Sequence, residues 1–237
     1  MNAIAWREEI IGDARLILAD CRDVLPTLDG VDVIITDPVW PNCPAGLIEG
    51  SLDPYGLFAE VCKILPSHKR AIFTMRCDSD PRFLAAYDWH TFLRIIAMPY
   101  VVPGYLGRIL GGDEYAYWFG SPVVSAPGRR VIPGRTPPAQ PNSRTPDGHP
   151  MSRAQVHFDW IVGWATDSGE TTLDPFMGSG TTGVACAYHR KPFIGIEIEQ
   201  KYFDIACFRI EQSYMQMSIL DFAANDNRAT EQMLLSL

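Results

Sequence analysis

Residues Leu173-Asp174-Pro175-Phe176-Met177-Gly178-Ser179-Gly180-Thr181-Thr182-Gly183, followed by Phe193-Ile194-Gly195-Ile196-Glu197, restrict the fold more than any other part of the chain. They read as strand, glycine turn, helix and strand. Thr171 to Leu173 is short and β-favouring. Gly178 and Gly180 permit a tight turn and close approach of a ligand to the backbone. Thr181 to His189 is small and apolar, suited to a helix lying on a sheet, and Pro192 stops it. Phe193 to Ile198 is a buried strand carrying the acid Glu197. An acid about 20 residues beyond the first glycine is where nucleotide-binding βαβ units hold a ribose hydroxyl. A bare αβ turn without a ligand is the simpler alternative, and Gly-x-Gly-x-x-Gly alone is a weak signal. The flanking strand and the placed acid favour a nucleotide-like ligand.

The letters Gly178 to Gly183 also fit a dinucleotide fingerprint. Two features argue against one. Polar Asp174-Pro175-Phe176 stands where an apolar strand would run straight into the first glycine, and only one helix is expected after Glu197. The remaining strands must therefore come from earlier in the chain. Val31 to Thr36 is a compact β-branched run, read as a central buried strand ending in Asp37-Pro38-Val39-Trp40. Ile4 to Ile11 and Ala14 to Ala19 flank the turn signal Gly12-Asp13. Asp20 ends the second of these strands, and Asp23 to Leu28 makes a helical turn. Asp53-Pro54 pairs an N-cap with proline at the first helical position and opens a helix to about Leu65. Arg70 to Met75 is a strand, Asp80-Pro81 opens a helix to about Tyr87, and Phe92 to Ala97 and Glu114 to Phe119 are further strands. Such alternation predicts an α/β fold with a doubly wound, mostly parallel sheet.

Eight prolines between Pro122 and Pro150 exclude regular structure there and predict a long exposed loop. Residues 121–153 hold Arg129, Arg130, Arg135, Arg144 and Arg153 against Asp147 alone, a net charge of +4 in a chain of −8. That asymmetry suggests a segment facing a polyanion, with a plain solvated loop as the alternative. Ser152 to Thr166 then reads as an amphipathic helix with Val156, Trp160, Ile161 and Trp164 on its apolar face. Gln200 to Met217 repeats that spacing through Phe203, Ala206, Cys207, Ile210 and Tyr214. Residues 222–237 form a weakly specified tail.

Several motifs, in this order, resemble those of the β-class S-adenosylmethionine-dependent DNA amino-methyltransferases, the adenine-N6/cytosine-N4 family. Asp174 to Thr182 is similar to their cofactor motif, and Asp37-Pro38-Val39-Trp40 resembles their catalytic Asp-Pro-Pro-Tyr. Leu18 to Leu25, His149-Pro150 and Gly195 to Ala206 extend the likeness over most of the chain. The resemblance implies a Rossmann-like methyltransferase fold with a circularly permuted motif order, in one domain spanning 1–237. Residues 1–120 would be the catalytic half, 121–148 a DNA-recognition insert using Arg129, Arg130, Arg135 and Arg144, and 149–237 the cofactor half. It further implies S-adenosylmethionine as cofactor. Asp20, Cys21, His149, Asp174, Phe176, Gly178, Ser179, Gly180, Thr181 and Glu197 would surround it, with Glu197 on the ribose hydroxyls and Asp20 near the adenine edge.

The chemistry accounts for these residue types. An exocyclic base amine is a poor nucleophile because its lone pair is delocalised into the ring. The Asp37 carboxylate and the Pro38 carbonyl can accept hydrogen bonds from it and pull the nitrogen toward a tetrahedral shape. Rate then comes mainly from holding nitrogen, methyl and sulfur in line. The base must first leave the duplex stack, and Trp40 would offer it a stacking face. Val39 and Trp40 depart from the family's Pro and Tyr, and Met151-Ser152-Arg153 stands where Thr-Gln-Lys is more usual. The resemblance implies that Asp rather than Ser at position 37 leans toward adenine N6, and cytosine N4 stays open. A relative that binds without turnover and a nicotinamide-dependent oxidoreductase are the competing readings, the latter leaving Asp37 to Trp40 unexplained. RNA or protein could stand in place of DNA as the substrate, and a homodimer stays open.

Six scattered cysteines without a Cys-x-x-Cys pair speak against a zinc site, and no histidine suggests a ligand set, so no metal is expected. With no signal-peptide pattern at the N-terminus and no apolar run of membrane-spanning length, the expected location is the cytoplasm.

Overall fold

The computed structural model describes residues 6–101, 105–106, 109–110, 113–123, 132–140 and 153–235. The chain opens with a hairpin, β1 (Arg7–Ile11) and β2 (Ala14–Leu18), turning at Gly12-Asp13 with Gly12 at φ 57°. A short helix α1 (Cys21–Val24) follows, capped by Asp20, whose carboxylate accepts the Arg22 N–H. Then come β3 (Val33–Thr36), α2 (Pro54–Ile64), β4 (Arg70–Arg76), a 3-10 helix (Pro81–Ala86) and β5 (Phe92–Met98). A small hairpin, β6 (Tyr105–Leu106) and β7 (Ile109–Leu110), precedes β8 (Glu114–Gly120). The C-terminal part adds α3 (Gln155–Ala165), β9 (Thr172–Asp174), α4 (Thr181–Tyr188), β10 (Phe193–Glu197) and α5 (Gln200–Leu235).

Eight strands form one sheet in the order β1-β2-β10-β9-β3-β4-β8-β5. The five from β2 to β4 are mutually parallel, and β1 and β8 run against their neighbours. Alternation along each strand feeds two cores. Leu16, Val33 and Ile35 face α3, α4 and α5, and Ile17, Ile34 and Phe73 face α1, α2 and the 3-10 helix. Local chemistry starts the helices as expected. The Asp53 carboxylate accepts the Gly56 N–H at 2.9 Å with Pro54 at the first helical position, and Asp80 accepts from Arg82 at 3.0 Å. Among the described residues, no helix is long and apolar enough to cross a membrane.

Three expectations change. On α3 the buried residues are His157, Phe158, Ile161, Val162 and Ala165, with Trp160 and Trp164 only half-buried. The helix is apolar on two adjoining faces, so spacing alone could select the wrong one. The tail does not leave regular structure, since α5 continues to Leu235. The Pro/Arg-rich stretch is not an exposed loop throughout. Residues 132–140 lie along the open edge of β5, with Ala97 donating to the Gly134 carbonyl and Thr136 to that of Ala97, both at 2.9 Å. Thr136 and Ala139 are buried there, while Arg135 is exposed. Arg129, Arg130, Arg144 and His149 lie outside the described residues.

Candidate active site

Connections leave the middle of the sheet in opposite directions. From β9 the chain crosses through α4 to β10 on one side, and from β3 it crosses through α2 to β4 on the other. β9 and β3 are neighbours, so their C-terminal ends form the switch point, where open α/β sheets place their ligands. Asp37 follows β3, and the glycine turn follows β9. The Thr36 hydroxyl donates to Asp174 Oδ1 at 2.6 Å and joins the two strand ends. A cleft opens here, lined by residues that follow both strand ends.

The cofactor-side candidates meet in this cleft. Asp20, Cys21, Asp174, Phe176, Gly178 and Ser179 line it, as do Thr181 and Glu197. Gly180, at φ 83°, instead packs on α5, where a Cβ would meet Ala206 at 2.9 Å. Glu197 is buried, and its two oxygens accept N–H groups from Gly178 at 2.8 Å and Glu199 at 2.7 Å. Burial nonetheless pushes its carboxyl up to about 7. Asp174 is more enclosed. It accepts from Thr36 and Thr182, each at 2.6 Å, and from Phe176 N–H at 3.1 Å, so its role in this structure is to tie β9, β3 and α4 together. Burial raises it to about 6. Asp20 caps α1 and pairs with Arg22 at 2.6 Å, and Arg22 holds its carboxyl below the usual range. The desolvated Cys21 thiol is raised to about 12.

Of the catalytic candidates, Asp37, Val39 and Trp40 line the same cleft, and Pro38 is buried beside them. Trp40 does not project at the mouth. It is 2% exposed, packed with Val39, Cys43 and Phe176. Its indole Nε1 is buried without a hydrogen-bond partner among the described residues.

Two residues absent from the catalytic and cofactor candidates complete the site. Arg153, counted above among the polyanion-facing arginines, is buried instead. Its Nε donates to Asp37 Oδ2 at 2.7 Å, its Nη2 to Asp37 Oδ1 at 3.1 Å and its Nη1 to Glu114 Oε1 at 2.5 Å. Glu114, the first residue of β8, is buried and also accepts from the Tyr100 hydroxyl at 3.1 Å. The place of Arg153 just after His149-Pro150 was the only hint in the sequence.

The charges identify a ligand chemistry. Six acids line the cleft against two arginines, and both arginines are already paired, Arg22 with Asp20 and Arg153 with Asp37. The N–H of Gly178, which a phosphate would need, is spent on Glu197. Such a cleft opposes a pyrophosphate and suits a nucleoside bearing a positive charge.

A family model described as DNA methylase, for N6 and N4 methyltransferases, matches residues 68–208. Over 63 residues the chain is 41% identical to type II methyltransferase M2.DpnII of Streptococcus pneumoniae, covering 27% of this chain and 24% of that protein. Over 75 residues it is 37% identical to M.BglI of Bacillus subtilis, covering 32% and 22%. The matched stretch thus spans under a quarter of either curated relative. Among solved structures, an M1.HpyAVI–SAM complex superposes with a TM-score of 0.64 at 24% identity, covering 83% of this chain and 98% of that one. PvuII DNA methyltransferase, described as cytosine-N4-specific, superposes with a TM-score of 0.60 at 14% identity, covering 87% and 93%. At these identities the likeness is one of fold.

Proposed function

The chain belongs to the N6/N4 DNA methylase family, and from that premise we propose that it is a methyltransferase moving the methyl group of S-adenosylmethionine onto an exocyclic amine of a DNA base, adenine N6 first. The observation that carries this reading is the meeting of Asp37 and Glu197 in one acid-lined cleft at the switch point of the sheet. When bound, the cofactor supplies an electrophilic methyl on a sulfonium. The residues present fit it. Glu197 keeps about two acceptor positions for ribose hydroxyls after its two backbone bonds. Phe176 and Ile198 offer apolar surface to a nucleobase. The acids suit the positive sulfur, and no phosphate needs a partner, which sets this reading above a nicotinamide-dependent one.

On the substrate side, the Asp37 carboxylate accepts an N–H of the target amine and the Pro38 carbonyl a second. These bonds localise the nitrogen lone pair and aim it at the cofactor side of the cleft. The low-dielectric surroundings of Val39 and Trp40 keep water from competing for those acceptors. For the base to reach Asp37 at this depth, it must be turned out of the helix. Arg135, with Arg129, Arg130 and Arg144, would contact phosphates. We take the protein to act in the cytoplasm, in keeping with its six free thiols.

Cytosine N4 is the second reading, favoured by the fold shared with a cytosine-N4-specific enzyme. One experiment separates the outcomes. The protein is incubated with duplex DNA and methyl-labelled S-adenosylmethionine, and the DNA is digested to nucleosides for mass spectrometry. N6-methyladenine is expected. N4-methylcytosine moves the assignment to the second reading. Unlabelled DNA, with cofactor binding intact, rejects both.

A further inference from the structure

We propose that Arg153 and Glu114 are positioning residues that decide which lone pair of Asp37 can receive the substrate amine. This rests on the reading of Asp37 as the amine's acceptor. An ionised carboxylate offers about four acceptor positions. On Asp37, Oδ1 takes the Thr74 hydroxyl at 3.0 Å and Arg153 Nη2 at 3.1 Å, and Oδ2 takes Arg153 Nε at 2.7 Å. That leaves one position, on Oδ2. Asp37 can therefore take a single N–H of an incoming amine, and the second N–H must find another acceptor, the role the proposed mechanism gives to the Pro38 carbonyl. The guanidinium thus sets the tilt of the amine and not only the charge of the site.

The arrangement demands arginine. Arg153 uses Nε and Nη2 as a fork on Asp37 and turns Nη1 to Glu114 at 2.5 Å. A lysine ammonium is a compact point charge on a flexible stem and cannot hold that planar fork against two carboxylates at once. Glu114 in turn fixes the guanidinium plane, with Tyr100 holding its other oxygen. The guanidinium carbon lies 5.3 Å from the centre of the Trp40 ring, so the same group braces the aromatic wall. The four elements involved are the end of β3, β4, the start of β8 and the residue before Ala154 and α3. Asp37 is therefore held directly by Thr74 and Arg153, and Arg153 is braced in turn by Glu114.

The test uses the full chain, duplex DNA and S-adenosylmethionine. It reads single-turnover methyl transfer, cofactor affinity by calorimetry, and thermal melting. Arg153→Lys is expected to slow transfer about 100-fold, the usual result of a roughly 1 Å misplacement, with cofactor affinity unchanged. Glu114→Gln keeps a hydrogen bond to Arg153 and should lose less. Arg153→Ala should recover part of its rate when guanidinium ion is added, which a purely structural arginine would not show. Transfer by Arg153→Lys at the wild-type rate overturns the proposal. So does a rate that falls only in proportion to the folded fraction and gains nothing from guanidinium. If Arg153→Lys does not fold, a fully active Glu114→Gln that leaves Arg153→Ala without rescue overturns it. Unimpaired transfer by Asp37→Asn would instead remove the premise that Asp37 receives the amine, a separate result from either.

Discussion

Glu197 Oε2 accepts the backbone N–H of Gly178 at 2.8 Å, so the acid ending β10 and the glycine turn after β9 form one unit before any ligand arrives. Replacing Glu197 by Ala should weaken S-adenosylmethionine binding by about 10- to 100-fold, the worth of roughly 1.5–3 kcal/mol for hydrogen bonds to a charged group. The wild type should also show a pH effect. Burial raises this carboxyl from an ordinary value of 4.5 to about 7. Its ionised, fully accepting form therefore gains population between about pH 6 and 8, and cofactor affinity should climb over that window. Calorimetric titration at several pH values checks this, with Glu197→Gln expected to be weak and flat across it.

Asp37→Ala should abolish methyl transfer and leave cofactor affinity nearly unchanged, because on the proposed reading Asp37 meets the amine and not the cofactor. A large loss of affinity in the same titration would give Asp37 a different role. Melting should fall as well, since the substitution leaves Arg153 with Glu114 alone.

Asp174→Asn should change how stability varies with pH. The folded protein raises this buried carboxyl from 3.8 to about 6. An acid with a raised folded value contributes stability that is complete below its unfolded value and lost as pH climbs through the folded one. The wild type should thus lose stability from Asp174 between about pH 4 and 6, and the slope over that interval should be shallower in Asp174→Asn. Chemical denaturation at half-unit pH steps measures it.

Trp40 should behave as wall and core together. Its burial with Val39, Cys43 and Phe176 predicts that Trp40→Ala costs about 3–5 kcal/mol, the range for aromatic truncation in a core, and lowers the melting temperature by several degrees. Trp40→Phe should fold nearly as well and retain measurable transfer, because a ring still closes the cleft. A melt and a single-turnover assay on both variants decide. An unchanged melting temperature for Trp40→Ala would mean that the side chain leaves this position in solution.

Where structure depends on near neighbours, the sequence was legible. Asp53-Pro54 and Asp80-Pro81 cap the helices they open, and Gly12-Asp13 turns its hairpin. The glycine turn and Glu197 are 19 residues apart and belong to one βαβ unit, so their meeting in the cleft was readable too. Arg153 was not. Its carboxylate partners lie 116 and 39 residues away, and an arginine at the end of a basic stretch looks like a surface group until the sheet brings β3 and β8 to it. The reversed direction of β8 was equally hidden, because a two-residue period is the same whichever way a strand runs.

The strand order has a consequence for how this protein comes into being. β2 and β3 are nearly consecutive in the chain, yet β10 and β9, made last, stand between them. During synthesis the emerging N-terminal part carries Asp37 long before the strands that will flank β3 on one side exist. Contacts of such long reach slow folding. They also mean that the Thr36 hydroxyl has no Asp174 to bond until that residue is made 138 residues later, so the two strand ends are joined only in the last third of translation.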